Sequence, residues 1–172
     1  MEDQENVIDY REDVARLLSK EWLVDGEVSV DAFALAPKET YLSVNRPSVP
    51  TFEADVRKFL SNHREYLLAE NNEMFFSAAV MNVGDIRGIS VEVDGSPMDL
   101  DVEIEVRDAH TKSHAGIFVR SHGENIVRGR SVMSASVPKG VSSDDILMEV
   151  QWCLKDIAQQ ATFELSLLQE QE

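Results

Sequence analysis

The segment MDLDVEIEVR sets Met98, Leu100, Val102, Ile104 and Val106 in strict alternation with Asp99, Asp101, Glu103, Glu105 and Arg107. A period of two belongs to a strand with one face on a core and the other in water, and it cannot be laid along a helix. It also points to an antiparallel sheet, because parallel sheets are covered on both faces and lose the alternation. The four carboxylates are then the wet face of a strand rather than a catalytic cluster. Upstream, Ile89, Val91 and Val93 alternate with Ser90, Glu92 and Asp94 before a turn at Gly95, so the two segments read as a β-hairpin. With MFFSAAVMNV before them and SHAGIFVRS and RSVMSASV after them, they form a meander of about five antiparallel strands over residues 73–137.

Helical periods flank this sheet. Val7, Tyr10, Val14, Leu17 and Leu18 recur at three and four, which predicts a helix ending around Lys20 within an N-terminal helix and turn region of about 5–50. The rest of that region carries an Asp25-Gly26 turn and short apolar runs that read as short strands or a strand and a helical turn, closed by Pro47 and Pro50. Thr51 is a candidate N-cap for a second helix over about 51–72, with Phe52, Val56, Phe59, Leu60 and Leu67 on its apolar side. Ser142 and Asp145 make a capping box for a C-terminal helix over about 143–169. Its stripe would run through Ile146, Val150, Leu154, Ile157, Ala161, Leu165 and Leu168. The expected fold is a single α+β domain over 1–172, with all three helices packed on one face of an antiparallel sheet.

A net charge of −16 excludes indiscriminate binding to nucleic acid or to anionic membrane, since both rest on Lys and Arg neutralising phosphate. The opening MEDQENVIDYRED is acidic where a secretory signal would be basic, and no apolar run approaches the roughly 18 residues of a membrane span. One cysteine, Cys153, suits a reducing compartment. A cytoplasmic chain is expected. Against this acidic background, Arg107 to Lys139 sums to +4.

That basic segment holds HTKSHAGIFVRSH, with three of the four histidines. On a strand, Ala115, Ile117 and Val119 share one face, while His114, Gly116, Phe118, Arg120 and His122 share the other. Arg offers a planar fork to phosphate or carboxylate and imidazole adds a donor or proton shuttle, so His114, Arg120 and His122 are candidate anion-binding residues, with Arg128 and Arg130 near enough in sequence to return alongside. The competing reading is a polar sheet face in solvent. No metal site is expected: His110 and His114 share a face only on a helix, and the chain has no HExxH, paired Cys or EF-hand motif. Nor is a cofactor or a catalytic residue assigned, because P-loop, GxGxxG and GxSxG motifs are missing. Cys153 reads as a small buried hydrophobe and His63 as a structural residue beside the second helix's apolar stripe.

WLVDGEVSVDAFAL, Trp22 to Leu35, followed by YLSVNR, Tyr41 to Arg46, resembles a pattern W-x-x-D-G-x-V-S-x-x-A-F-x-L … L-S-V-x-R of small uncharacterised bacterial proteins. The resemblance covers the first quarter of the chain and implies no activity. It singles out Ser43, Asn45 and Arg46 at the end of an apolar run, a place where ligand-binding groups often stand. Arg46 is therefore a fourth candidate, against the alternative that it pairs with one of many nearby acids.

Two functions follow. The leading one is a non-catalytic interaction module of the bacterial cytoplasm, of immunity, antitoxin, chaperone or adaptor type, that engages a basic protein partner or itself. The other is a small enzyme or binding domain for a phosphorylated metabolite or nucleotide, built on the 107–139 segment. Convergence of Arg46, His114, Arg120 and His122 on one concave pocket would favour the second.

Overall fold

Asp13–Leu18, DVARLL, decides the middle of the molecule: Val14, Ala15, Leu17 and Leu18 are all buried, so both faces of this segment carry core residues. The computed structural model describes residues 8–70, 73–93, 95–107, 112–129 and 141–165, and in it this segment is a strand, β1, not the expected helix. A strand covered on both sides carries apolar residues at both parities and loses its alternation, which left a false helical spacing in the sequence.

The chain continues through β2 (Leu23–Val24), β3 (Glu27–Val28), β4 (Leu42–Asn45), helix α1 (Phe52–Asn62), β5 (Leu67–Glu70) and β6 (Glu73–Asn82). Then come α2 (Val83–Arg87), β7 (Glu92–Val93), β8 (Ser96–Pro97), β9 (Asp101–Val106), β10 (His114–Ser121), β11 (Glu124–Asn125), α3 (Ser143–Ile157) and β12 (Gln159–Leu165). The fold is α+β. Among the described residues eight strands form one sheet in the order β11-β10-β4-β1-β6-β12, with β5 added to β6 and β9 to β10. Every pairing among the described residues is antiparallel. This is not a five-strand meander, because β1 and β4 from the N-terminal region stand between β10 and β6.

Helices cover both faces of the sheet rather than one. On the first face Val14, Leu18, Val44, Ala79, Met81, Ile104 and Ile117 pack with Ile146, Val150 and Leu154 of α3 and with Val83 and Ile86 around α2. On the second, Ala15, Leu17, Phe76 and Ala78 pack with Val56 and Leu60 of α1. Small residues at 15, 78 and 79 keep the paired strands β1 and β6 thin enough for both layers.

Three further boundaries differ from expectation. The second helix stops at Asn62, and Leu67 belongs to β5. The segment 92–97 closes on itself as the two-residue ribbon β7–β8, while β9 pairs with β10, from Ala115↔Val106 to Arg120↔Asp101. The last helix starts on the expected capping box, Ser142 Oγ accepting from Asp145 N at 3.2 Å, but ends at Ile157. Ala158 is extended and β12 runs along β6 from Gln159↔Val80 to Leu165↔Met74. Spacings of four are even, so Ala161 and Leu165 fit one face of a strand as well as one face of a helix. Phe163 lies between them in sequence and stacks on Phe76 at 5.1 Å between ring centroids. The expected strand at 130–137, with Leu168 and His110, lies outside the described residues. No helix among the described residues is long and apolar enough to cross a membrane.

Leu154 is 2% exposed in the α3 layer. Leu154→Ala is expected to lower the unfolding free energy by about 2–5 kcal/mol in urea titration. Gln159→Ala, at an exposed position opening β12, should change it by no more than about 0.5 kcal/mol.

Candidate functional site

β4 alternates: Leu42 and Val44 face the α3 layer, which turns Ser43 and Asn45 to the opposite side. β10 lies alongside with His114 opposite Asn45, so the imidazole joins the same side, and Ser43 Oγ and His114 Nε2 are 3.0 Å apart. Along α1 the positions 55, 58, 59 and 62 fall at three- and four-residue intervals on the flank facing these strands. Between helix and strands lies a cavity of about 340 Å³ lined by Arg16, Leu17, Ser43, Asn45, Asp55, Lys58, Phe59, Asn62, His63, Tyr66 and His114. That volume falls in the range of small-molecule sites.

Arg16 sits where β1 and β4 part company. Only Ala15↔Asn45 pairs these strands, and beyond it the guanidinium stands in for the ladder, donating from Nε to Ala32 O at 3.0 Å and from Nη1 to Ser43 O at 2.9 Å. It also lies over the Trp22 ring at 5.0 Å. Nη2 has no hydrogen-bond partner among the described residues, and no carboxylate stands at ion-pair distance. Burial pulls the Arg16 pKa below the usual guanidinium value, with Tyr66 and Glu39 opposing the shift, yet guanidinium remains a cation at any physiological pH.

The other walls are aromatic and polar. His63 Nδ1 lies 3.1 Å from Phe59 O. A carbonyl can only accept, so Nδ1 carries a proton, and in the neutral ring Nε2 is the acceptor. The imidazole stacks on Phe59 with centroids 4.2 Å apart and planes 6° from parallel, and Tyr66 meets Phe59 edge-on at 5.2 Å. Burial raises the Tyr66 pKa, which keeps the phenol a neutral donor. Asp55, the single carboxylate in this lining, already accepts from Thr51 Oγ1 (2.9 Å), Ser113 Oγ (2.6 Å) and Ser113 N (3.1 Å). The Lys58 ammonium is exposed and makes no ion pair among the described residues. A chain of net charge −16 thus turns two cations and one engaged carboxylate toward this space.

Of the four candidates read from the sequence, the structure brings His114 alone to the cavity. Arg46 is 4% exposed and clasps Glu12 through two 2.9 Å bonds, from Nε and Nη2. Arg120 grips Glu105 at 2.6 and 3.1 Å and Asn125 at 2.9 Å, and lies over Phe118 at 4.4 Å. His122 is exposed at the β10–β11 turn, with φ of 51° before Gly123 at 80°, and its Nε2 is 3.6 Å from Asp99. Elsewhere in the basic segment, Arg107 lies over Tyr41 and Phe118, while Arg128 donates to Leu35 O. Ser43 and Asn45, singled out beside Arg46, do reach the cavity; so do Arg16 and Lys58, which the sequence did not mark, and His63, which it marked as structural. The available signal was Arg16 itself, the one charge inside the run VARLL.

Among the described residues no three His, Cys, Asp or Glu side chains are grouped to hold a metal. Cys153 is half-buried and burial raises its thiol, against the nucleophilic state. No protein-family model, curated protein or solved structure matches the chain.

The Arg46–Glu12 pair gives a pH test. Burial raises the Glu12 pKa, but hydrogen bonds from Arg46, Ser48 and Asp9 N outweigh it and leave the carboxyl below its ordinary value. Its stabilisation is therefore present above the unfolded pKa, near 4.3, and is lost as pH falls through the lower folded one. Glu12→Gln should be destabilising at pH 7, because it removes the carboxylate that Arg46 grips through two bonds. Denaturation measured from pH 7 to pH 3 should show wild type and variant converging at the acid end.

Proposed function

We propose that the chain binds a small anionic molecule in the cavity between α1 and the sheet. One observation carries this reading: Arg16, which lines the cavity, holds a largely buried guanidinium with no carboxylate paired to it among the described residues. Buried charges are ordinarily paired, and an anion entering the cavity would complete the pairing. Lys58 adds charge at the exposed side, and Asn45, Asn62, His63 and His114 supply hydrogen-bonding groups. Leu17, Phe59 and Tyr66 offer apolar surface to the ligand's body. The ligand class is a phosphorylated metabolite, nucleotide or small carboxylate. This keeps the ligand chemistry expected for the 107–139 segment and moves its site to the cavity, with His114 in common.

Thermal melts with inorganic phosphate, benzoate and 4-nitrophenyl phosphate test it. A ligand at about 100 times its Kd stabilises by about 2.7 kcal/mol, or a rise of about 5–10 °C for a chain of this size. The rise should shrink in high salt and vanish in Lys58→Glu and Arg16→Gln. No shift with any of the three anions, or an unchanged response in Lys58→Glu, overturns the reading.

A second observation supports the interaction-module reading. Met148 and Trp152, both 47% exposed, lie one turn apart on the outer side of α3. Asp144, Asp145, Glu149 and Asp156 are their exposed neighbours at three- and four-residue spacing. Lys155 lies over the Trp152 ring at 5.2 Å, so the pair sits among four acids and one lysine, a balance that suits a basic amphipathic helix as partner, in keeping with a net charge of −16. A bacterial cytoplasmic location goes with this reading, supported by the single cysteine. A lysine-rich amphipathic peptide should bind with at least tenfold lower affinity to Met148→Ala, Trp152→Ala, whose melting temperature stays within about 2 °C of wild type. Equal affinity for both proteins would refute it.

A further inference from the structure

Ser43 and His114 line the cavity as a hydroxyl and an imidazole 3.0 Å apart, and the imidazole atom facing the hydroxyl is Nε2. Resting on the cavity as a ligand site, we propose that this pair is a nucleophile and its base, and that the cavity hydrolyses small esters whose acyl part carries an anionic group.

Three features support the chemistry. A serine hydroxyl is a weak nucleophile until a base within hydrogen-bond reach takes its proton, and 3.0 Å is within that reach. Both residues sit on neighbouring ladder strands, β4 and β10, with Gly116 opposite Ser43 and Asn45 opposite His114, so their separation is fixed by backbone pairing rather than by a loop. The third feature is Arg16, whose Nη1 donates to the carbonyl of Ser43 itself. The guanidinium is thereby anchored to the backbone of the nucleophile, and positive charge beside a reacting carbonyl stabilises the oxyanion that forms. Lys58, at the exposed side, then takes the anionic group of the acyl chain.

Ser43 Oγ attacks the ester carbonyl carbon while its proton passes to His114 Nε2. Collapse of the tetrahedral intermediate breaks the bond to the leaving oxygen, which departs with the proton from His114 as the alcohol. Water then attacks the acyl-serine, His114 takes its proton and returns it to Ser43 Oγ, and the carboxylic acid leaves.

The full-length chain is tested with a fluorophosphonate, a reagent that phosphonylates activated serines, and with two substrates, 4-nitrophenyl succinate and 4-nitrophenyl acetate. Intact mass should show one phosphonyl adduct, mapped to the peptide containing Ser43 and absent from Ser43→Ala. His114→Gln should label at least a hundredfold more slowly. In Ser43→Cys, iodoacetamide should alkylate position 43 before Cys153, whose thiol is held back by burial. Hydrolysis of the succinate ester should exceed that of the acetate by at least tenfold in kcat/KM, and Lys58→Ala should erase the difference through KM. Absence of the adduct in wild type, an adduct retained in Ser43→Ala, or equal labelling of His114→Gln overturns the proposal. Anion-induced thermal stabilisation should persist in Ser43→Ala. If it does while labelling fails, the cavity is a binding site and the chemistry is wrong; if both fail, the cavity reading falls too.

Discussion

Burial of β1 and β6 on both faces is the constraint from which the architecture follows. Val14 and Leu18 face the α3 layer while Ala15 and Leu17 face α1, so this six-residue strand closes two cores at once. Helices must then lie on both sides, because any uncovered face here would leave apolar surface in water. The two layers are unequal in reach. The α3 layer extends from β6 across β4 to β9 and β10, whereas the α1 layer covers β1, β6 and β12 only. Where α1 stops covering, β4 and the start of β10 turn Ser43, Asn45 and His114 to the cavity, while Phe118 further along β10 is covered by Tyr41, Arg107 and Arg120. The cavity marks the border of the smaller layer.

Three arginines in the same fold differ in how their charge is met. Arg46 closes on Glu12 and Arg120 on Glu105, each through two bonds to one carboxylate, and both anions are held below the ordinary carboxylate range. For Glu105 the chief cause is the hydrogen bond from Arg120. These pairs are complete as they stand. Among the described residues Arg16 meets two carbonyl oxygens and the Trp22 ring, which engage the guanidinium without neutralising its charge. Clustering along the sequence pointed to 107–139, where aromatic rings, a carboxylate and a carbonyl engage Arg107, Arg120 and Arg128. Pairing in space points to Arg16.

How far the sequence could be read depends on how many faces each element buries. The strand at 101–106 is wet on one side, and its alternation was legible residue by residue. The α3 capping box was legible because it is a local hydrogen-bond pattern at fixed spacing. β1 was not, since burial on both faces erases the period. β12 was masked by even spacings that suit helix and strand alike, and the decisive contact, Phe163 on Phe76, joins residues about half the chain apart. The candidate site fared similarly. Ser43 and Asn45 stood out as polar residues at a strand end, and His114 as a member of a histidine-rich stretch. Arg16 and His63 come from elements that meet the sheet only after folding, so no spacing joins them to His114.

Asp55 shows why the cavity keeps its charge imbalance. It lies on α1 within the lining, near enough in kind to serve as a counter-ion, yet its Oδ2 receives Thr51 Oγ1, Ser113 Oγ and Ser113 N. Those bonds fasten α1 to the residue that precedes β10, and Asn45 Nδ2 donates to the same Ser113 hydroxyl at 3.1 Å. The carboxylate therefore sets the distance between the helix wall and the strand wall. A charged acceptor held by neutral donors is satisfied in hydrogen bonds, but its position is dictated by Ser113, not by the cations. Arg16 is fixed at the opposite boundary by the parting of β1 and β4. The two opposite charges are each anchored to backbone on different elements, so neither can move to neutralise the other.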